Sequence, residues 1–161
     1  MTLSSESIEV IETHSETLPA VTPYFASIAE IERLVAGFED GTLPKSEWTH
    51  QAHMTVAFWY LSKYSEAEAT NRIRDGIKKY NKAVGTKNTE NSGYHETITL
   101  FWVWAVRRFI LKRNLSTCAL ESINILVASY DKNFPLEYYS KELLMSWDAR
   151  REWREPDLKR L

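Results

Sequence analysis

The chain has 161 residues, of which 43% are hydrophobic, and it carries a net charge of −2. This length and apolar content suit a single domain with a well-filled core, whereas the slightly acidic charge argues against a nucleic-acid-binding protein. Because Cys118 is the only cysteine, neither an intrachain disulfide nor a cysteine-based zinc site can form. The sequence has no basic-then-apolar leader and no uncharged apolar run long enough to span a membrane. We therefore expect a soluble cytoplasmic protein with no membrane partner.

The N-terminal segment, residues 1–22, differs in composition from the rest of the chain. It is rich in Glu, Ser and Thr and contains no Lys or Arg, so we predict a mobile acidic arm. From residue 23 to residue 161 the apolar residues recur at helical spacing, which predicts one helical domain.

Helix start and stop signals divide this domain into segments. Ser27 and Ser65 each open a capping-box pattern, and Gly41 and Gly85 each stand where a helix should end. We predict helices over residues 27–40, 46–63, 65–84, 95–113 and 116–130, with a short one from residue 140 to about residue 147. Because no convincing strand pattern occurs, the chain is predicted to be an all-α bundle of about five to six helices.

The loop between the third and fourth predicted helices is polar along its whole length. Residues 85–94 contain two glycines and no apolar periodicity, and they lead into His95 at the start of an apolar helix. Polar loops held by a rigid scaffold commonly carry function. We therefore expect a small molecule to enter beside this loop.

Three of the four histidines lie in the two most apolar helices. His50 and His53 are three residues apart on the second predicted helix, so both can face one object. His95 begins the fourth predicted helix. Because a buried imidazole needs a partner, we expect the three rings to meet.

An imidazole cluster indicates metal binding or proton chemistry. We predict that His50, His53 and His95, with Glu96 as a further ligand, bind a divalent metal ion, which would be zinc, iron, nickel or manganese. A site of this kind with an open position activates bound water. Glu96 or Glu47 would then act as the catalytic base or orient a ligand.

The substrate pocket is expected beside these histidines. Trp48 lies close to the first pair, Thr99 shares a helix face with His95, and Asn88 and Tyr94 belong to the adjoining loop. The string from His95 to Thr99 differs from the zinc-protease pattern His-Glu-x-x-His, since a threonine stands at the position of the second histidine. No protease is therefore predicted.

Two functions are compatible with this pattern. The first is a metal-dependent enzyme that acts on a small molecule, with hydrolysis slightly favoured over oxidoreductase chemistry. The second is a non-catalytic helical binding module in which the histidines bind metal structurally or join helices through hydrogen bonds. The sequence does not indicate the oligomeric state.

Three strings of the sequence resemble a known protein family. They are Glu-Trp-Thr-His-Gln-Ala-His at residues 47–53, Asn-Thr-Glu-Asn-Ser-Gly-Tyr-His-Glu-Thr-Ile-Thr at residues 88–99 and Ala-Arg-Arg-Glu-Trp-Arg-Glu-Pro-Asp-Leu at residues 149–158. They are similar to a family of small, uncharacterised bacterial helical proteins with W-T-H-x-A-H and G-Y-H-E-T-I-T motifs. The resemblance covers about residues 30–161 and implies a self-standing single-domain protein, without implying an activity.

Overall fold

A computed structural model of the chain describes residues 22–113 and 118–161. Within these ranges the chain forms seven α-helices and no β-strand. They are α1 (Ile28–Asp40), α2 (His50–Leu61), α3 (Glu66–Ala83), α4 (Glu96–Lys112), α5 (Ala119–Ser129), α6 (Lys141–Leu144) and α7 (Trp147–Arg151). The prediction of an all-α bundle is confirmed. Residues 1–21 of the predicted arm, and the predicted start of the fifth helix at residues 116–117, lie outside the described ranges.

Helix α2 is the centre of the bundle. It packs against α1, α3, α4 and α5, and its buried residues point to every side of the helix: Ala52, Met54, Thr55, Val56, Ala57, Phe58 and Tyr60. Burial on all sides explains why this segment is almost uniformly apolar. No helix in the described parts of the chain is long and apolar enough to cross a membrane.

Helices α1 and α3 begin at the predicted serine caps. The hydroxyl oxygens of Ser27 and Ser65 accept hydrogen bonds from the backbone N–H groups of Glu30 and Glu68, respectively. Helix α1 ends at Gly41, whose φ of +75° is a conformation that favours glycine. The sequence signals therefore placed these helix ends correctly.

The second predicted helix is divided into two parts. One continuous helix was predicted over residues 46–63, but a 3-10 turn ends at Glu47 and Thr49 then adopts an extended backbone. The Thr49 side chain accepts a hydrogen bond from a backbone N–H three residues later and so begins α2. As a result, Glu47 is not carried on the same helix as His50 and His53.

The segment that follows α7 lies against α4. Thr97 is fully buried; its hydroxyl donates to the carbonyl of Glu152 at 2.9 Å and accepts from the backbone N–H of Arg154 at 3.1 Å. The hydroxyl of Tyr139 donates to the Arg154 carbonyl at 2.9 Å. These hydrogen bonds hold the C-terminal segment beside the N-terminal half of α4, where the polar loop also ends.

Candidate functional site

A cavity of about 410 Å³ lies beside α2, α3, the polar loop, the start of α4 and α7. Five of the residues predicted for the site line it: Trp48, His53, Tyr94, His95 and Thr99. The other lining residues are Lys45, Ile77, Tyr80, Asn81, Thr86, Asn91, Ser92, Gly93, Ile98 and Arg150. The volume falls within the range of small-molecule binding sites.

His53 presents one free ring nitrogen to this cavity. Its Nδ1 lies 2.6 Å from the carbonyl oxygen of Thr49, and because a carbonyl can only accept, Nδ1 carries the proton. Nε2 is then an unprotonated acceptor in the neutral ring, and it makes no hydrogen bond to another described residue. No buried side-chain nitrogen or oxygen in the described ranges lacks a partner, so Nε2 is accessible, and it belongs to a side chain that lines the cavity.

The surroundings of His53 keep its ring neutral and oriented. Burial lowers the pKa of His53 from 6.5 to about 4; the hydrogen bond to the Thr49 carbonyl opposes this shift, and the charge of His50 adds to it. The His53 ring packs 3.8 Å from the ring of Trp48, measured between centroids. Trp48 is itself stacked on Phe38 at 4.7 Å, so the packing of α1 fixes this wall of the cavity.

His95 is the N-cap of α4. Its Nδ1 accepts a hydrogen bond from the backbone N–H of Ile98 at 3.2 Å, and its Nε2 donates to the carbonyl of Leu144 at 2.9 Å. Burial lowers the pKa of His95, the bond to Leu144 opposes the shift, and the charge of Arg150 lowers the pKa further. Both ring nitrogens are therefore engaged, and the neutral ring joins the start of α4 to the end of α6.

His50 lies outside the lining of the cavity. Its Nε2 is 3.0 Å from the carbonyl oxygen of Tyr130, and its ring packs against Trp102 with the centroids 4.8 Å apart. It therefore joins the start of α2 to the residue that follows α5. The structure thus brings His53 and His95 to one cavity and places His50 elsewhere.

Glu96 is held by two neighbouring donors and does not line the cavity. Arg74 Nε donates to its Oε1 at 2.9 Å, and the hydroxyl of Tyr94 donates to its Oε2 at 2.5 Å. Burial raises the pKa of Glu96, but the hydrogen bonds from Arg74 and Tyr94 outweigh burial and lower it. The ionised carboxylate orients Tyr94, which does line the cavity.

The remaining predicted residues also have local partners. Glu47 forms an ion pair with Arg33 at 2.7 Å, and the side-chain oxygen of Asn88 accepts from the backbone N–H of Tyr94 at 3.0 Å. Neither Glu47 nor Asn88 lines the cavity. Thr99 lines the cavity, and its hydroxyl donates to the carbonyl of His95 at 2.7 Å.

Arg150 on α7 is a lining residue that the sequence did not identify. Its Nε donates to the carbonyl of Glu90 at 3.0 Å, and its Nη1 donates to the carbonyls of Gly93 and Tyr94 at 3.4 and 3.3 Å. It therefore joins α7 directly to the polar loop in the wall of the cavity. The one sequence signal that included Arg150 was the string at residues 149–158, which resembles the bacterial family.

Residues 22–113 and 118–161 contain no group of three or more His, Cys, Asp or Glu side chains placed to hold a metal ion. His53 has one free nitrogen, whereas both nitrogens of His95 and the oxygens of Glu96 are engaged by neighbours. The divalent-metal site stays a prediction, and so do the catalytic roles of Glu96 and Glu47.

Comparison of the chain with protein-family models, with curated proteins and with solved structures gives no match. The resemblance to a bacterial family therefore stays a prediction as well.

The cap formed by His95 can be tested by substitution. His95→Ala removes both the bond from Ile98 and the bond to Leu144, so we expect it to lower the free energy of unfolding by about 1–3 kcal/mol. His95→Asn can still cap α4 and should recover part of this loss. Urea unfolding measures both changes. Equal stability of the alanine variant and the wild type would contradict the capping role.

The pKa of His53 predicts a pH dependence of stability. Because the pKa is lowered in the folded protein, the unfolded chain binds the proton more readily between pH 6.5 and about 4. The free energy of unfolding should therefore fall as the pH falls through this window. In His53→Gln this part of the dependence should disappear, which urea unfolding at several pH values would show. An unchanged slope in the glutamine variant would contradict the assignment.

Proposed function

We propose that the protein binds a small molecule in this cavity and that Nε2 of His53 accepts a hydrogen bond from that molecule. The observation that carries the proposal is the state of this nitrogen. It is unprotonated, has no partner among the described residues and belongs to a side chain in the wall of a cavity of about 410 Å³. A fixed polar atom in a partly apolar cavity is typical of small-molecule sites.

The rest of the lining supports binding of a molecule with both polar and apolar parts. Uncharged polar side chains offer further donors and acceptors, namely Asn81, Thr86, Asn91 and Ser92. The apolar contact surface includes Ile77 and Ile98. A few placed polar groups fix the orientation of a ligand, while apolar burial supplies much of its affinity.

The low pKa of His53 favours binding over acid–base catalysis. A general base is most effective when its pKa is close to the working pH, whereas the pKa of His53 is lowered to about 4. Such a ring is a weak proton acceptor near pH 7, but its lone pair still accepts a hydrogen bond. This supports the binding-module alternative rather than an enzyme in which His53 removes a proton.

The other two core histidines also support the binding module. The rings of His50 and His95 each lie against a backbone carbonyl, of Tyr130 and of Leu144 respectively, and so connect segments that are distant in the sequence. These bonds are the helix-joining role that the alternative gives to the histidines.

A divalent metal ion at His53 is a second candidate. The bond from Nδ1 to the Thr49 carbonyl favours it, because a hydrogen bond of this kind orients metal-binding histidines. For His95 to become a further ligand, its Nε2 would have to leave the Leu144 carbonyl. Zinc, iron, nickel and manganese all accept imidazole ligands, and metal-activated water would favour hydrolysis.

Ligand binding can be tested by NMR with a library of small-molecule fragments. Fragments that bind should shift the signals of the Trp48 indole and of the amides of residues 92–99. His53→Phe keeps an aromatic ring against Trp48 but removes the acceptor. It should weaken binding by roughly fivefold, since one hydrogen bond contributes about 1 kcal/mol.

The control is His50→Gln, at a histidine outside the cavity lining, because the glutamine amide can still donate a hydrogen bond to the Tyr130 carbonyl. Binding to this variant should equal binding to the wild type. Fragments that shift only signals elsewhere in the bundle would contradict the proposal, and so would equal affinity in His53→Phe.

The metal candidate is tested by metal analysis of protein purified without a chelating column. A metal bound at His53 should be present in stoichiometric amount, or added zinc, manganese, nickel or iron should raise the melting temperature by mass action. His53→Phe should abolish the effect. Absence of both signals in the wild type would remove this candidate and leave the binding proposal in place.

A further inference from the structure

The charges in the wall of the cavity are all of one sign. Lys45 and Arg150 line it, and no aspartate or glutamate does. Both histidines of the lining have lowered pKa values and are neutral near pH 7. The lining therefore carries two positive charges and no negative charge to balance them.

The charge of Arg150 is held in place but is not neutralised. Three carbonyl oxygens of the polar loop accept from its Nε and Nη1, and its Nη2 makes no hydrogen bond to a described residue. No carboxylate in the described ranges forms an ion pair with it. The acids on either side of it in the sequence, Asp148 and Glu152, both pair with Arg154 at 3.2 and 2.5 Å.

Lys45, the other cation of the lining, is in a similar situation. It is exposed and makes no hydrogen bond or ion pair with a described residue. Glu47, the nearest acid in the sequence, is paired with Arg33. The carboxylates nearest to each cation in the sequence thus have other partners.

The guanidinium of Arg150 is half-buried, is held in a fixed position and has two free N–H groups on Nη2. Such a group is suited to bind an oxyanion. Arginine binds carboxylate and phosphate through paired charged hydrogen bonds, which are stronger than neutral ones. Burial lowers the pKa of Arg150, which indicates that its charge is incompletely solvated. A bound anion would supply the missing counter-charge.

We infer that the ligand of this cavity is a small organic anion, whose carboxylate or phosphate group binds to Arg150 and Lys45 and whose uncharged part lies against Ile77 and Ile98. This inference rests on the proposed function. It adds the charge of the ligand and the residues that recognise this charge, while His53 accepts a hydrogen bond from another part of the same molecule.

Pairs of probes that differ only in charge test the inference. We would titrate the protein with benzoate and benzamide, hexanoate and hexanamide, and phenyl phosphate and phenol, and follow the amides of residues 92–99 by NMR. The anion of a pair should bind at least roughly tenfold more tightly than its neutral partner, because its hydrogen bonds are charge-assisted. Comparison of benzoate with phenyl phosphate shows which oxyanion the cavity prefers.

Three variants test which residues cause the preference for anions over neutral probes. Arg150→Gln and Lys45→Gln should each reduce the ratio of anion to neutral affinity. Lys45→Gln breaks no hydrogen bond or ion pair among the described residues, so it should fold normally. Arg151→Gln, which changes the adjacent exposed arginine outside the lining, should leave the ratio unchanged. Raising NaCl from about 0.05 to about 0.5 M should weaken anion binding more than neutral binding.

The outcomes distinguish a failure of the anion inference from a failure of the proposed function. If neutral probes bind in the cavity as tightly as their anions, the inference is wrong while the proposed function stands. If the anions bind more tightly but neither Arg150→Gln nor Lys45→Gln changes the ratio, the inference is also wrong. If no probe and no library fragment shifts the cavity signals, the proposed function fails and the inference fails with it.

Discussion

An imidazole N–H that packs inside a bundle must find an acceptor, and for the three histidines that the structure describes the acceptor is a backbone carbonyl. The ring of His53 donates to residue 49, that of His50 to residue 130 and that of His95 to residue 144. Leaving such a group unpaired would cost free energy. The bond of His53 stays within the start of α2, whereas the bonds of His50 and His95 fix the starts of α2 and α4 relative to the ends of α5 and α6. Trp48 and Tyr94 directly precede these two helix starts, and their positions set the shape of the cavity.

The helices could largely be predicted from the sequence because apolar periodicity and capping residues agreed. Ser27 and Ser65 start α1 and α3 as expected. The start of α2 could not be predicted, since both Ser46 and Thr49 are good caps and the stacking of Trp48 on Phe38, a tertiary contact, favours the later one. The single helix predicted over residues 140–147 is instead two short helices, which carry too few residues for a clear period.

From residue type, we could predict several of the side chains that line the cavity. The hydrogen-bond partners of these side chains were harder to predict. A histidine that caps a helix and a histidine that binds a metal look the same in a sequence, and His95 turned out to use both nitrogens locally. Glu96 likewise has an arginine partner 22 residues away. The position of Arg150 at the cavity could not be predicted, because its contacts with the polar loop join residues that are 56 to 60 positions apart in the sequence. No local sequence pattern indicates a contact over such a separation.

The place of Arg150 in the chain has a consequence for how the protein is made. Helices α1 to α5, which contain most of the core, leave the ribosome before residue 150 does, and domains begin to fold while synthesis continues. The carbonyls of residues 90, 93 and 94 receive their guanidinium hydrogen bonds only when α7 arrives. The part of the cavity wall that Arg150 forms is therefore completed only at the end of synthesis, after the residues of α1 to α5 have been made.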